Sequence, residues 1–187
     1  LIYLSQEMDS SLDRIQKLAE GLLNYFAFAG SELKVQMTAV PLAQTVAAVL
    51  RGMQDRIAKS GVTVETTVDE ATQVSADPEY LSRVIRVLVD NALVFTPGGG
   101  RVQIDSSLVS GRVHLCVKDT GRGIPRENLS KVFKPFVLDR ASRHPEGFGL
   151  NLPIARSIMH AFGGKVRAES DGPGTGATFC LEMDPAA

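Results

Sequence analysis

In the stretch "VKDTGRGIPRENLSKVFKPF" an apolar, strand-like run ends on Asp119, and Gly121 and Gly123 follow at alternate positions. A carboxylate accepts hydrogen bonds, and a turn without Cβ atoms lets a ligand lie against the backbone. The pairing suits the floor of a site where a ligand approaches the backbone closely, although Asp and Gly also make ordinary turns. Further residues with usable chemistry stand in order around it. Asn91 lies in "RVIRVLVDNALVFTP", Phe133 and Phe136 in "KVFKPF", Gly147 and Gly149 in "GFGLNLPIA", and more glycines in "GPGTGATF". Asn91 falls on the inner side of an apolar helix, where an unpaired amide is costly, so it asks for a partner.

Bulk composition excludes several classes. The chain has 187 residues, 44% apolar and 22% charged, with a formal net charge of −1. It can bury a core, and it carries neither a basic footprint for nucleic acid nor a polybasic membrane patch. No apolar run reaches the length of a spanning helix, and no signal-peptide pattern opens the chain. His114, His144 and His160 show no metal-ligand spacing with cysteines or carboxylates. Cys116 and Cys180 sit far apart in apolar runs and read as small buried hydrophobes of a reducing compartment, not as a disulfide. Neither G-x-x-x-x-G-K-[ST] nor a strand-to-helix G-x-G-x-x-G is present, which disfavours a P-loop or dinucleotide fold.

The elements that must hold these residues are legible from periodicity. Leu12, Ile15, Ala19, Leu22, Phe26 and Ala29 recur at steps of three and four, a bundle-type seam on a long N-terminal helix ending near Gly30. Leu33, Val35 and Met37 alternate as a short strand. One helical stripe runs from Leu42 to Ile57 behind Pro41, and Val62 to Val68 alternates as a strand. Asp77-Pro78 opens a helix that breaks at "TPGGG". Two strands follow at Val102–Val109 and Arg112–Lys118, then a short helix from Glu127 to Phe133 and a loop to Phe148. A helix from Asn151 to Phe162 and strands at Lys165–Ser170 and Ala177–Met183 complete the chain. The order reads as α+β: a two-layer α/β sandwich, with helices on one face of a mixed sheet.

Taken together and in this order, the boxes resemble the ATP-binding domain of sensor histidine kinases, of the GHKL superfamily with its Bergerat-type fold. The resemblance assigns residues 1–30 to the second helix of a dimerisation domain and 31–187 to the catalytic domain. It implies ATP and Mg²⁺ as ligands. Asn91 would offer its side-chain oxygen to Mg²⁺, a hard cation that prefers oxygen donors. Phe95 would lie beside the adenine. Asp119 would accept a hydrogen bond from the adenine amino group, with Gly121 and Gly123 making room and Ile124 packing on the ring. Val137 to Gly147 would be the mobile lid, with Arg140 and Arg143 available to the phosphates. Gly147, Gly149 and Leu150 would bring backbone amides and a helix start to the phosphates, and Thr178 would close the far side. The implied partners are a phosphoacceptor histidine on the dimerisation domain, a response regulator, and a second copy through the N-terminal helix. The implied location of this domain is cytoplasmic.

Three positions depart from that pattern. Val87 replaces a second asparagine, at the place where hydrolytic relatives carry a glutamate base, so brisk hydrolysis is not expected. Val94 replaces a lysine or arginine aimed at phosphate, which leaves Arg83, Arg86, Arg140 and Arg143 as candidate substitutes. Asn151 replaces a final glycine and is expected to cap the following helix. No histidine lies on the terminal helix, so the acceptor must come from elsewhere. The alternative reading is a degenerate signalling or scaffold module that binds ATP weakly or not at all.

Overall fold

The computed structural model describes residues 12, 15, 16, 18–23, 25, 26, 33–137 and 148–186. At the N-terminus, residues 12, 15, 16, 18–23, 25 and 26 are helical, and we call this segment α1. Leu12, Ile15 and Phe26 of its apolar stripe are more than 60% exposed, so the stripe does not pack on the domain that follows. Tyr25 does touch that domain, with its ring 6.5 Å from Phe136. Of the other expected seam positions, Ala19 is exposed, Leu22 is half-buried, and Ala29 lies outside the described residues.

The catalytic-type domain begins with β1 (Thr38–Pro41), later than the alternation of residues 33–37 suggests. The expected single helix behind Pro41 is two, α2 (Leu42–Arg51) and α3 (Gln54–Ser60). Gly52 and Met53 form a turn between them, and a Cβ at Gly52 would sit 3.1 Å from the Arg86 guanidinium. Next come β2 (Thr63–Thr67), β3 (Gln73–Ala76), which the sequence reading missed, and α4 (Pro78–Phe95). The remainder is β4 (Arg101–Val109), β5 (Arg112–Asp119), the one-turn α5 (Arg126–Leu129), α6 (Asn151–Ala161), β6 (Lys165–Glu169) and β7 (Thr178–Met183).

Five strands form a mixed sheet in the order β2-β4-β5-β7-β6, parallel only between β2 and β4. Along β5, Val113, Leu115, Val117 and Asp119 are buried while the alternate residues are not. Phe179, Leu181 and Met183 do the same on β7. Alternation of this kind requires one covered face and one wet face. The cover is α4 and α6, with α2 packed on α4. Leu81, Val84, Ile85, Leu88, Val89 and Ala92 of α4 are all at most 1% exposed, which makes this helix the centre of the core. Truncating Leu88 to alanine would cost about 2–5 kcal/mol.

Asp77 fixes where α4 starts. Its Oδ1 accepts from the Glu79 and Tyr80 amides at 3.1 and 3.3 Å, capping the helix with Pro78 in its first turn. Oδ2 accepts from the Gln36 amide at 2.9 Å, so the same carboxylate moors the segment leading into β1. β1 and β3 pair as a separate two-stranded sheet. That sheet is tied to the end of β7 through the Ser75 amide on the Asp184 carbonyl, 2.9 Å.

The cysteines overturn their sequence reading. Cys116 and Cys180 face each other directly across β5 and β7 and form a disulfide on the open, helix-free face. Both side chains are half-buried rather than buried. At a sequence separation of 64, spacing gives no hint of the pairing; antiparallel register creates it.

Closing a loop of that separation restricts the unfolded chain by about 4 kcal/mol in the entropic description of cross-links. Reductant is therefore expected to lower the denaturant midpoint of the wild-type chain and to leave a Cys116→Ser, Cys180→Ser double variant unmoved. Urea titrations with and without reductant check this. Unchanged wild-type stability, with both thiols open to alkylation before reduction, would show that the bond does not form.

Candidate nucleotide site

Asp119 is the last residue of β5, 3% exposed, at the point where the strand leaves the sheet. One carboxylate oxygen, Oδ1, accepts from two backbone amides: Gly121 at 2.8 Å and Ala177 at 3.2 Å. Its other oxygen accepts no hydrogen bond from the described residues. Burial raises the carboxyl above the ordinary aspartate value, and the Gly121 and Ala177 amides oppose the rise. A buried carboxylate with one oxygen fixed and one spare is a built acceptor awaiting a donor.

The loop after Asp119 is shaped by close approach. A Cβ on Gly121 would lie 2.4 Å from the Phe95 carbonyl oxygen and 2.7 Å from Asp119 Oδ1. Gly123 has φ +70°, and a Cβ there would meet the Gly172 carbonyl oxygen at 1.9 Å. Both positions exclude any side chain, for steric reasons and, at Gly123, for backbone reasons too. Ile124 follows, half-buried against the core.

Phe95 ends α4 one helical turn after Asn91, and its carbonyl accepts from the Arg122 amide at 3.2 Å. The Arg122 guanidinium lies over the Phe95 ring, 4.2 Å from its centroid, a cation–π contact that the sequence reading did not foresee. Asn91 is half-buried. Val87 and Asn91 lie one turn apart on one side of α4, with Arg83 a further turn back. Arg86 is not on that side: it lies against Gly52 at the α2–α3 turn, which removes it as the substitute for the cation missing at Val94.

At the other wall, Phe133 packs edge-on to Phe179, with centroids 6.2 Å apart. Phe136 is 55% exposed, at a φ of +63°. Its amide donates to the Gly149 carbonyl at 3.2 Å. Gly149 itself has φ +67°, and a Cβ there would meet the Val137 carbonyl at 2.7 Å. The chain thus enters and leaves segment 138–147 side by side. Arg140, Arg143 and Gly147 lie outside the described residues.

Two sequence expectations are corrected. Asn151 is the first residue of α6 and not its cap; buried Leu150 holds the cap position and supplies no side-chain bond. Pro153 has no N–H, so the open amides of this first turn belong to Asn151 and Leu152, and they remain available to an anion. Thr178 does not reach the pocket. It shares the open face with Cys180 and Glu182, and the buried position beside Asp119 belongs to Ala177, whose amide the sequence reading missed. Period-two alternation from buried Phe179 would have revealed this.

These features fit an adenine nucleotide. An exocyclic amine would satisfy the spare Asp119 oxygen, the bare loop would give a flat ring access to the backbone, and the first amides of α6 are the kind of donor that an anion accepts. Asn91 supplies the oxygen donor type that Mg²⁺ accepts.

Comparison with known proteins agrees. A family profile described as "Histidine kinase-, DNA gyrase B-, and HSP90-like ATPase" matches residues 76–187. The adaptive-response sensory kinase SasA of Synechococcus elongatus is 30% identical over 185 residues, which cover 98% of this chain and 48% of that protein. The chain spans about half the length of this curated relative. Full-length ShkA, solved in complex with AMPPNP, superposes with a TM-score of 0.81 at 26% identity, covering 95% of this chain and 37% of that one. The catalytic domain of histidine kinase ThkA superposes with a TM-score of 0.71 at 27% identity, covering 80% of this chain and 96% of that one. With its buried half-satisfied carboxylate, its glycine loops and this match over more than half its length, the chain belongs to the histidine kinase-, DNA gyrase B- and HSP90-like ATPase family and carries the ATP-binding catalytic domain of the sensor histidine kinase type.

Proposed function

We propose that this domain binds Mg·ATP and passes the γ-phosphoryl group to a histidine on a dimerisation domain, within a two-component signalling kinase. The supporting observation is the division of labour within the Asp119 carboxylate. Oδ1 is held by Gly121 and Ala177, so Oδ2 is fixed in place before any base arrives. Guanine, which presents a carbonyl where adenine has its amine, would set acceptor against acceptor there.

The phosphates would extend from the base toward Asn91 and the start of α6. The Asn91 amide oxygen would hold Mg²⁺, which when bound would supply charge neutralisation at the transferring group. In the transfer itself an imidazole nitrogen forms the new P–N bond as the bond to the β-phosphate oxygen breaks, leaving ADP. The protein's part is positioning and electrostatics. Val87 offers no base to activate water, which favours transfer over hydrolysis.

The uncovered stripe of Leu12, Ile15 and Phe26 supports α1 as part of a helical dimerisation element joined to a second copy, with residues 1–30 outside the catalytic unit. A response regulator would then take the phosphoryl group onward, in the cytoplasm. None of the described helices is long and apolar enough to cross a membrane. A second reading, a degenerate module with weak nucleotide binding, is favoured by Val87 and Val94, two apolar residues at the phosphate end.

Calorimetric titration with ATP and Mg²⁺ separates these readings. Asp119→Asn turns the spare acceptor into a donor and is expected to weaken ATP by about 10- to 100-fold. Equal affinity in the variant would remove Asp119 from base recognition. Val94→Lys is expected to strengthen ATP by about tenfold while leaving adenosine unchanged, because it adds one charged bond at the phosphates. If wild type binds no ATP and a Val87→Asn, Val94→Lys variant does, the degenerate reading holds. For transfer, a longer chain including the acceptor helix should yield acid-labile, alkali-stable phosphate from γ-labelled ATP.

The raised Asp119 pKa carries a sign for both binding and stability. Binding needs the ionised form, so ATP affinity is expected to fall as pH drops through the raised value, sooner than an exposed aspartate would give. Stability of the free domain runs the other way. The contribution from this group is fully present below the unfolded pKa and is lost as pH rises through the folded one. Asp119→Asn should remove that part of the pH dependence in urea unfolding curves.

A further inference from the structure

We propose that Ser170 is a positioning residue for base recognition, pinning the 119–124 loop to the 170–176 loop so that adenine is selected by a braced pair of loops. The proposal deepens the adenine assignment at Asp119 and rests on it.

Ser170 follows β6 directly and is half-buried. Its hydroxyl oxygen accepts from the Ile124 amide at 3.0 Å and the Gly172 amide at 3.3 Å, and it donates to the Gly176 carbonyl at 2.7 Å. One hydroxyl thereby uses its donor and both lone pairs; the Ile124 bond joins the two loops, and the other two close the 170–176 loop on itself. Further rungs are backbone to backbone: Gly174 N–H to the Arg122 carbonyl at 2.6 Å and Gly176 N–H to the Gly121 carbonyl at 3.0 Å. The ladder ends on the site itself, where Ala177 N–H meets Asp119 Oδ1.

The loops touch without slack. A Cβ at Gly123 would strike the Gly172 carbonyl, and one at Gly176 would lie 2.0 Å from the Asp119 carbonyl. Arg122, which covers the Phe95 ring, stands between the rungs. Ile124, the residue held by the hydroxyl, follows directly on the glycines that admit the base. Removing the hydroxyl leaves the Ile124 amide and the Gly176 carbonyl unpaired at one end of the ladder, while Asp119 keeps both of its amides. The carboxylate would remain in place, and the wall opposite it would lose its position.

Calorimetric titration of ADP and GDP onto wild type, Ser170→Ala, Ser170→Thr and Ser60→Ala tests this. Ser60 is a control of similar chemistry at the end of α3, outside the two loops, donating to the Ile57 carbonyl at 2.7 Å and accepting from the Val62 amide at 3.2 Å. Ser170→Ala is expected to weaken ADP about tenfold and leave the weak GDP binding where it was, compressing selectivity. Ser170→Thr should restore ADP binding, and Ser60→Ala should bind as wild type despite a similar loss of thermal stability. Wild-type ADP affinity in Ser170→Ala, or equal weakening in Ser60→Ala, overturns the proposal while leaving the Asp119 assignment standing. Wild type that binds neither nucleotide overturns both. Should Ser170→Ala not fold, amide hydrogen exchange on wild type decides. The Ile124 amide is expected to be protected and to slow further with ADP, whereas solvent-like exchange there would sink the idea.

Discussion

A carboxylate taken out of water must be compensated, and in this protein the compensation is deliberately half complete. Two backbone amides hold one oxygen of Asp119; the other is left with nothing among the described residues. Everything around it follows from keeping that arrangement rigid and open. The amides come from two different loops, so β5 and β7 must be adjacent, and their loops must leave the sheet at the same level. Glycine is forced at 121, 123 and 176 because carbonyl oxygens already occupy the space that a Cβ would need.

The core serves this geometry indirectly. α4 lies on the sheet with its buried stripe, which leaves Asn91 and Phe95 at the edge of the packed face, half in and half out. Asp77 fixes the start of that helix and hence the rotation that aims Asn91. On the open side of the same sheet, the Cys116–Cys180 bridge joins the two strands that supply the base-binding loops. Glu182, two residues further along β7, is surrounded by Arg112, Lys165 and Arg167. These half-exposed pairs contribute little each, yet they keep this face polar.

The two ends of the site are unequal. At the Asp119 end one carboxylate oxygen is held by two amides and the glycines around it leave no room for a Cβ. The end where the phosphates are proposed to lie has valines at 87 and 94, and Arg86 lies against Gly52 on another side of α4. On the proposed reading, affinity rests mainly on the base, and the role proposed for Ser170 follows from that.

Much of this was legible without coordinates. Alternation and three-four periodicity located most elements, because burial on one face imposes its period on the chain. The ordered boxes singled out Asn91, Phe95, Asp119, Gly121 and Gly123 as candidates because their residue types answer local demands: an oxygen donor, an aromatic face, an acceptor, absent Cβ atoms. What the sequence missed were relations between distant segments. It read Cys116 and Cys180 as reduced, singled out Thr178 where Ala177 is the residue that bonds Asp119, and did not foresee the bond from the Ile124 amide to Ser170. Each depends on strand register and on which face a residue takes, and a one-residue shift reverses that face. Local composition determines what a residue can do; only the pairing of β5 with β7 and the crossing of their loops decided which residues do it together.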